Sequence, residues 1–311
     1  MWYPSITPFR SGRLPVGDGH QLHWEMCGNA RGRPALFLHG GPGGGCTSNS
    51  RRWFDPDRYC IILFDQRGCG RSTPHASLDD NTTGHLIADM EALRVALAVD
   101  RWLLFGRSWG AALALAYAED YPERVTAIVL SAVFTAGRSE LDWLYRGGAA
   151  RLFPEAWSRF AGRIAESDRT DLIAAYYARL TCGEAETERA AARDWCDWED
   201  AIAARLPGTQ VADEPGLRAR ARIEAHFFAH HVFLQEGQLL DRAHRLAGVP
   251  GTIVQGQGDA VTPSVTACAL HEAWPGSSLR IVPDAGHEST EPDMMRALID
   301  ATDAFAADHT V

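Results

Sequence analysis

The stretch Gly106-Arg107-Ser108-Trp109-Gly110 has the residue types and spacing to do chemistry. A serine with glycine at both second neighbours lies between an apolar run, Arg101–Phe105, with strand character, and Ala111–Ala118, with strong helix propensity. A sharp strand-to-helix turn there needs glycines, because it forces unusual backbone angles and brings neighbouring elements too close for side chains. It pushes the Ser108 hydroxyl out at a helix N-terminus, where developing negative charge is favoured, and makes Ser108 a candidate nucleophile. In a chain with 29 glycines the pattern also arises by chance, so its flanks and distant partners must decide.

Two partners follow apolar strand-like runs. Asp259 closes Gln255–Asp259 after the run around Ile253, and His287 closes Pro283–His287 after the run around Ile281. In an open α/β sheet, ligands bind beyond the carboxyl ends of the strands, so residues just after strands are the ones that meet. The order Ser108, Asp259, His287 suits a serine hydrolase: His287 takes the hydroxyl proton and passes it to the leaving amine, and Asp259 fixes the imidazole tautomer. Asp284 is the rival acid, but three residues before His287 it suits a turn better. The glycine-rich stretch His39–Gly45 fails the dinucleotide fingerprint, since Cys46 stands where its third glycine belongs. It is read instead as half of an oxyanion hole, with the amides of Gly41 and Trp109 as donors and His39 as a loop brace. His230 and His231 have no metal-ligand spacing around them and are read as structural or surface residues; no metal and no cofactor is expected.

These residues need a scaffold. Ser11–Glu25 reads as a hairpin, Ala35–Leu38, Tyr59–Phe64, Val125–Leu130, Gly251–Gln255 and Leu279–Val282 as buried strands, and Asn81 or Thr82 as the cap of a helix reaching Arg94. A C-terminal helix is expected over Asp293–Ala307. Strands alternating with helices imply a mostly parallel sheet covered on both faces. From about Ser139 to Gln238 the pattern is helical, with breaks at Pro154, Gly183, Pro207 and Pro215-Gly216. The expected organisation is a catalytic α/β domain, residues 1–136 and 239–311, with a helical cap at 137–238.

With 311 residues, 46% hydrophobic and 23% charged, the chain has the composition of a soluble globular protein. A net charge of -10 without a basic cluster argues against a nucleic-acid partner. No segment is long and apolar enough for a membrane span, and the first ten residues lack the pattern of a secretory signal. Seven scattered cysteines without a C-x-x-C pair read as reduced thiols of a cytoplasmic protein.

Leu38–Gly45, Phe64–Ser72, Asn81–Thr83, Ser108–Gly110, Leu115–Ala118, Tyr121–Arg124, Trp198-Glu199, Ala221–Glu224 and Val282–His287 together resemble the proline iminopeptidases of the α/β-hydrolase fold. The resemblance spans nearly the whole chain. It implies removal of N-terminal proline from peptides or small amides with a free N-terminal amine. It further implies that Glu199 and Glu224 hold the cationic imino group while Phe134, Tyr145 and Phe228 enclose the pyrrolidine ring. Without it, those glutamates read as solvated helix acids and the aromatics as core.

The sequence departs from the family pattern in four places. Arg107 replaces a glycine, Gln257-Gly258 an Arg-Tyr pair, Thr262-Pro263 a Cys-Pro pair, and His230-His231 an asparagine-containing segment. Arg107 either folds away into a salt bridge or reaches into the cleft to select a substrate carboxylate. The first reading is a serine aminopeptidase acting through an acyl-enzyme on Ser108. Its alternative is a family member repurposed to cleave an amide or ester in a specialised metabolite. A non-catalytic binding scaffold is disfavoured by the intact Ser108, Asp259 and His287 set, and a dehalogenase would need a carboxylate at position 108.

Overall fold

Tyr59–Phe64 (β4) is buried along its whole length, as an unbroken apolar run requires when helices cover both faces of a parallel sheet. The computed structural model describes residues 2–203 and 214–307. Among the described residues eight strands form one sheet in the order β1-β2-β4-β3-β5-β6-β7-β8. β1 (Pro8–Pro15) and β2 (Gln21–Gly28) make the expected hairpin, and β2 runs antiparallel to β4. β3 (Arg33–Leu38), β4, β5 (Trp102–Ser108), β6 (Val125–Val133), β7 (Gly251–Gly256) and β8 (Ser277–Val282) are parallel.

Alternation along β5 shows how the sheet divides the core. Trp102 and Leu104 point into one hydrophobic cluster, while Leu103 and Phe105 point into the other. The first cluster is covered by α1 (Thr83–Ala96), α2 (Trp109–Asp120) and α9 (Ser264–Ala273), and the second by α10 (Pro292–Ala307). Thr82 caps α1 by accepting the His85 amide, so of the two expected candidates it is the cap. α9 was not among the expected elements, although Pro263 immediately before it marks a helix start.

Between β6 and β7 the described residues contain helices and no strand: α3 (Arg138–Tyr145), α4 (Pro154–Gly162), α5 (Leu172–Leu180), α6 (Ala185–Ile202), α7 (Glu214–Ala229) and α8 (Gln238–Asp241). Pro154 and Gly183 fall at helix boundaries as expected, and Pro207 lies outside the described residues. Pro215-Gly216 is no break. It sits in the first turn of α7, where proline's missing N–H costs no helical hydrogen bond. Beyond α7, His231, Val232 and Phe233 all adopt left-handed angles (φ 50, 46 and 56°), a turn held by the Thr83 hydroxyl donating to the Val232 carbonyl. His230 and His231 are exposed, as expected for surface residues. No helix among the described residues is long and apolar enough to cross a membrane.

α8 packs on the end of α2 over a buried acid. Glu119 accepts one hydrogen bond, from Gln238 Nε2 at 3.2 Å, and burial pushes its carboxyl up to about 7. Because the folded-state value is raised, its stabilising contribution is complete in acid and is lost as pH rises through about 7. Glu119→Gln is therefore expected to be neutral at pH ~5 and stabilising by about 1–2 kcal/mol at pH ~8, read by urea unfolding at both values.

Candidate active site

β5 ends and α2 begins at Ser108, whose backbone angles (φ 55°, ψ −124°) lie in a sparsely populated region. Both flanking glycines are required by close approach. A Cβ on Gly106 would stand 2.3 Å from the Gly110 carbonyl oxygen, and one on Gly110 would stand 2.1 Å from that of Leu38. The turn leaves Ser108 half-exposed at the lip of a cavity of about 70 Å³. Trp109 is the first residue of α2, so its amide has no acceptor within the helix.

His287 lines the same cavity from the loop after β8. Its Nδ1 lies 2.9 and 3.0 Å from the two carboxylate oxygens of Asp259, in the loop after β7. Asp259 also accepts the Val261 and Thr262 amides (both 2.9 Å), the Thr262 hydroxyl (2.8 Å) and Gln255 Nε2 (3.2 Å). Burial alone would raise its carboxyl, but His287 and the Thr262 amide and hydroxyl outweigh burial and hold it below the ordinary value. Asp284 is an exposed turn residue with φ 57°, so Asp259 is the acid beside the imidazole. The Ser108 hydroxyl and the imidazole share the cavity but form no mutual hydrogen bond among the described residues; such contacts often tighten only with substrate.

Gly41, at φ 119°, lines the cavity from the loop after β3. His39 braces that loop: Nδ1 donates to the Gly40 carbonyl at 2.9 Å, and Nε2 accepts the Gln66 amide at 3.0 Å. Burial lowers its pKa, in keeping with a neutral ring. At the far end of the loop the Cys46 amide donates to Asp65 at 2.7 Å. Gly43 abuts the helical segment directly: a Cβ there would lie 2.8 Å from both the Cα and the carbonyl oxygen of Arg220.

The remaining wall carries Phe134, Leu144, Phe228 and Val261 together with Glu199, Arg220 and Glu224. Glu224 is 4% exposed and accepts the Trp195 indole N–H at 3.0 Å. Burial, and next the neighbouring Glu199, push its carboxyl well above the ordinary value, against the opposing pull of Arg220. Glu199 accepts the Tyr145 hydroxyl and pairs with Arg220 at 2.9 Å; Arg220 also reaches Asp200 at 2.8 Å.

Of the residues expected to enclose a ring, Phe134 and Phe228 line the cavity and stand edge to face with centroids 5.9 Å apart. Tyr145 does not line it. It stacks on Trp195 behind the wall (4.7 Å) because its buried hydroxyl needs an acceptor, which Glu199 supplies. Arg107 takes the folded-away course: it donates to the His287 carbonyl, lies 3.7 Å from the Glu288 carboxylate, and is absent from the cavity lining. Sequence reasoning missed Arg220 and Thr262. Arg220 pairs with a residue 21 positions away and has no local signature, whereas the Asp259-x-x-Thr262 turn spacing was there to be found.

A hydroxyl at a helix start, an imidazole oriented by an ionised carboxylate, and nearby amides suit acyl transfer through a covalent intermediate. The family described as alpha/beta hydrolase fold matches residues 34–292. A proline iminopeptidase of Xylella fastidiosa is 50% identical over 308 residues, covering 97% of this chain and 98% of its own length. That of Xanthomonas citri is 49% identical (98% and 99% covered), and that of Arabidopsis thaliana 44% (98% and 82%). Among solved structures, an esterase from Rhodococcus superposes with a TM-score of 0.61 at 22% identity, covering 98% of this chain and 99% of that one. A Rhodococcus 2-hydroxy-6-oxo-6-phenylhexa-2,4-dienoate hydrolase gives 0.56 at 19% identity (91% and 93% covered). These two likenesses bear on the fold alone.

Proposed function

The chain belongs to the proline iminopeptidase family of the α/β-hydrolase fold, and from that membership we propose that it is a serine aminopeptidase releasing N-terminal proline from peptides. Ser108 Oγ attacks the prolyl carbonyl while His287 Nε2 takes its proton, and the amides of Gly41 and Trp109 receive the oxyanion. His287 then protonates the leaving amine, and water, activated in turn by His287, hydrolyses the acyl-enzyme. Asp259 keeps the proton of the neutral imidazole on Nδ1 and stabilises the imidazolium.

The observation that carries this reading is the joint lining of one small cavity by Ser108, His287, Glu199, Glu224, Phe134 and Phe228. A volume of about 70 Å³ suits a small ring rather than a long side chain. Glu199 and Glu224 anchor the secondary ammonium of the substrate by charge-assisted hydrogen bonds, and Phe134 and Phe228 enclose the pyrrolidine ring. Tyr145 contributes by orienting Glu199. Residues 1–136 and 239–311 act as the catalytic domain, and 137–238 as a helical cap that supplies the amine-binding wall. Seven free thiols support a cytoplasmic location.

A panel of aminoacyl p-nitroanilides tests the reading. Prolyl p-nitroanilide is expected to be the preferred substrate, and its N-acetyl derivative to be turned over at least ~10³-fold less efficiently, having lost the cation that the carboxylates bind. Absence of turnover for every free-amine substrate would overturn it.

A further inference from the structure

The strands β4, β3 and β5 are neighbours in the sheet, and their carboxyl ends carry Gln66, His39 and Ser108-Trp109 respectively. One side chain stitches these three ends together. Gln66 is 1% exposed; its Nε2 donates to the His39 carbonyl at 3.1 Å, and its Oε1 accepts the Trp109 indole N–H at 2.9 Å. Its backbone amide makes the third tie, donating to His39 Nε2 at 3.0 Å.

We propose that Gln66 is a positioning residue for acyl transfer, its carboxamide spanning from the His39–Gly41 turn to Trp109 and so fixing the separation of the two amides that receive the oxyanion. The inference rests on the hydrolase reading above and concerns a residue that touches neither substrate nor the reacting atoms. The chemistry of the two partners sets the demand. A carbonyl only accepts and an indole N–H only donates, so the bridging group must offer a donor and an acceptor at once. A carboxamide does so; an ionised carboxylate satisfies Trp109 but leaves the His39 carbonyl facing a second acceptor. The Trp109 ring is fully buried and packs edge to face on Phe227 (centroids 5.0 Å apart), so a pull on its indole is transmitted to the start of α2.

The oxyanion exists only along the reaction path, so loosening its donors raises the barrier without weakening substrate capture. Gln66→Met, similar in length and unable to form either bond, is expected to lower kcat about 10–100-fold with KM within threefold. A prolyl boronate, which forms a tetrahedral adduct on the nucleophile, should lose affinity by the same factor as kcat/KM, while free proline binds as before. Gln66→Glu supplies a pH signature. A protonated carboxyl both donates and accepts, so kcat relative to the parent should recover towards acid and fall as the group ionises. Trp109→Phe removes one bond without changing residue 66. Combined with Gln66→Met it should cost less than the product of the two single losses, because both cut the same link.

Thermal midpoints of each variant separate misfolding from misplacement, and should Gln66→Met fail to fold, Trp109→Phe and Gln66→Glu carry the same test. Gln66→Met kinetics within twofold of the parent, or equal losses for boronate and proline, would overturn the proposal. Failure of the parent to cleave any free-amine substrate would instead overturn the aminopeptidase reading, and boronate affinity still reports on the oxyanion site in that case.

Discussion

Replacing Ser108 by Ala is expected to lower kcat by about 10⁴–10⁶-fold, with KM little changed. The loss is large because the hydroxyl carries the covalent step. With it gone, His287 and Asp259 have no side-chain nucleophile left to activate, and the oxyanion donors and binding contacts leave only a residual acceleration over water. Since the hydroxyl forms no hydrogen bond to the imidazole among the described residues, its removal should leave the melting temperature within a few degrees. Steady-state kinetics on prolyl p-nitroanilide, with folding checked by circular dichroism, measures both. A variant retaining more than about one part in a hundred of the parental kcat would remove Ser108 from the mechanism.

Glu224→Gln is the second large effect, with kcat/KM for free-amine substrates expected to fall about 10²–10³-fold. Burial and the nearby Glu199 raise the Glu224 carboxyl well above its ordinary value, which favours the protonated form. A bound ammonium favours the carboxylate, so capture of the substrate expels that proton. Capture therefore strengthens as pH rises through the free-enzyme value of Glu224, and weakens again once the substrate amine loses its own proton. Stability of the empty protein runs the other way: with the folded-state value raised, the contribution is complete in acid and lost as pH rises through that value. Gln cannot titrate, so the variant should lose Glu224's share of the acidic limb of the kcat/KM profile and keep the share set by the imidazole base, while an ester lacking the amine reacts within about threefold of the parent. Equal losses for free and blocked substrates would show that Glu224 does not anchor the amine.

The grouping of Ser108, Asp259 and His287 was legible because Ser108 ends β5 and the other two lie in the short loops just past β7 and β8, and strand ends converge whatever the loops do. The hairpin and the parallel strands were legible for the same local reason, with ends shifted by at most three residues and those of β4 unshifted. Tyr145 was not, because facing the cavity or backing Glu199 depends on how α3 and α6 pack, which no spacing encodes. Arg220 escaped for a related reason: among the many arginines of the helical segment nothing local distinguishes the one that meets Glu199. Pro215-Gly216 misled in a different way, since proline breaks a helix interior but opens a helix well.

Gly43 has a bearing on how this chain can be engineered or diverge. With Arg220 and Ala219 backbone within 3.0 Å of where its Cβ would be, the loop and α7 fit like the two faces of a joint, although about 180 positions separate them along the chain. A chimera that imports α6 and α7 from a relative would have to import a matching bare backbone at this point as well. Substrate preference cannot then be traded between relatives by swapping the roof alone, and variants selected for new amine pockets should accumulate compensating changes around residue 43.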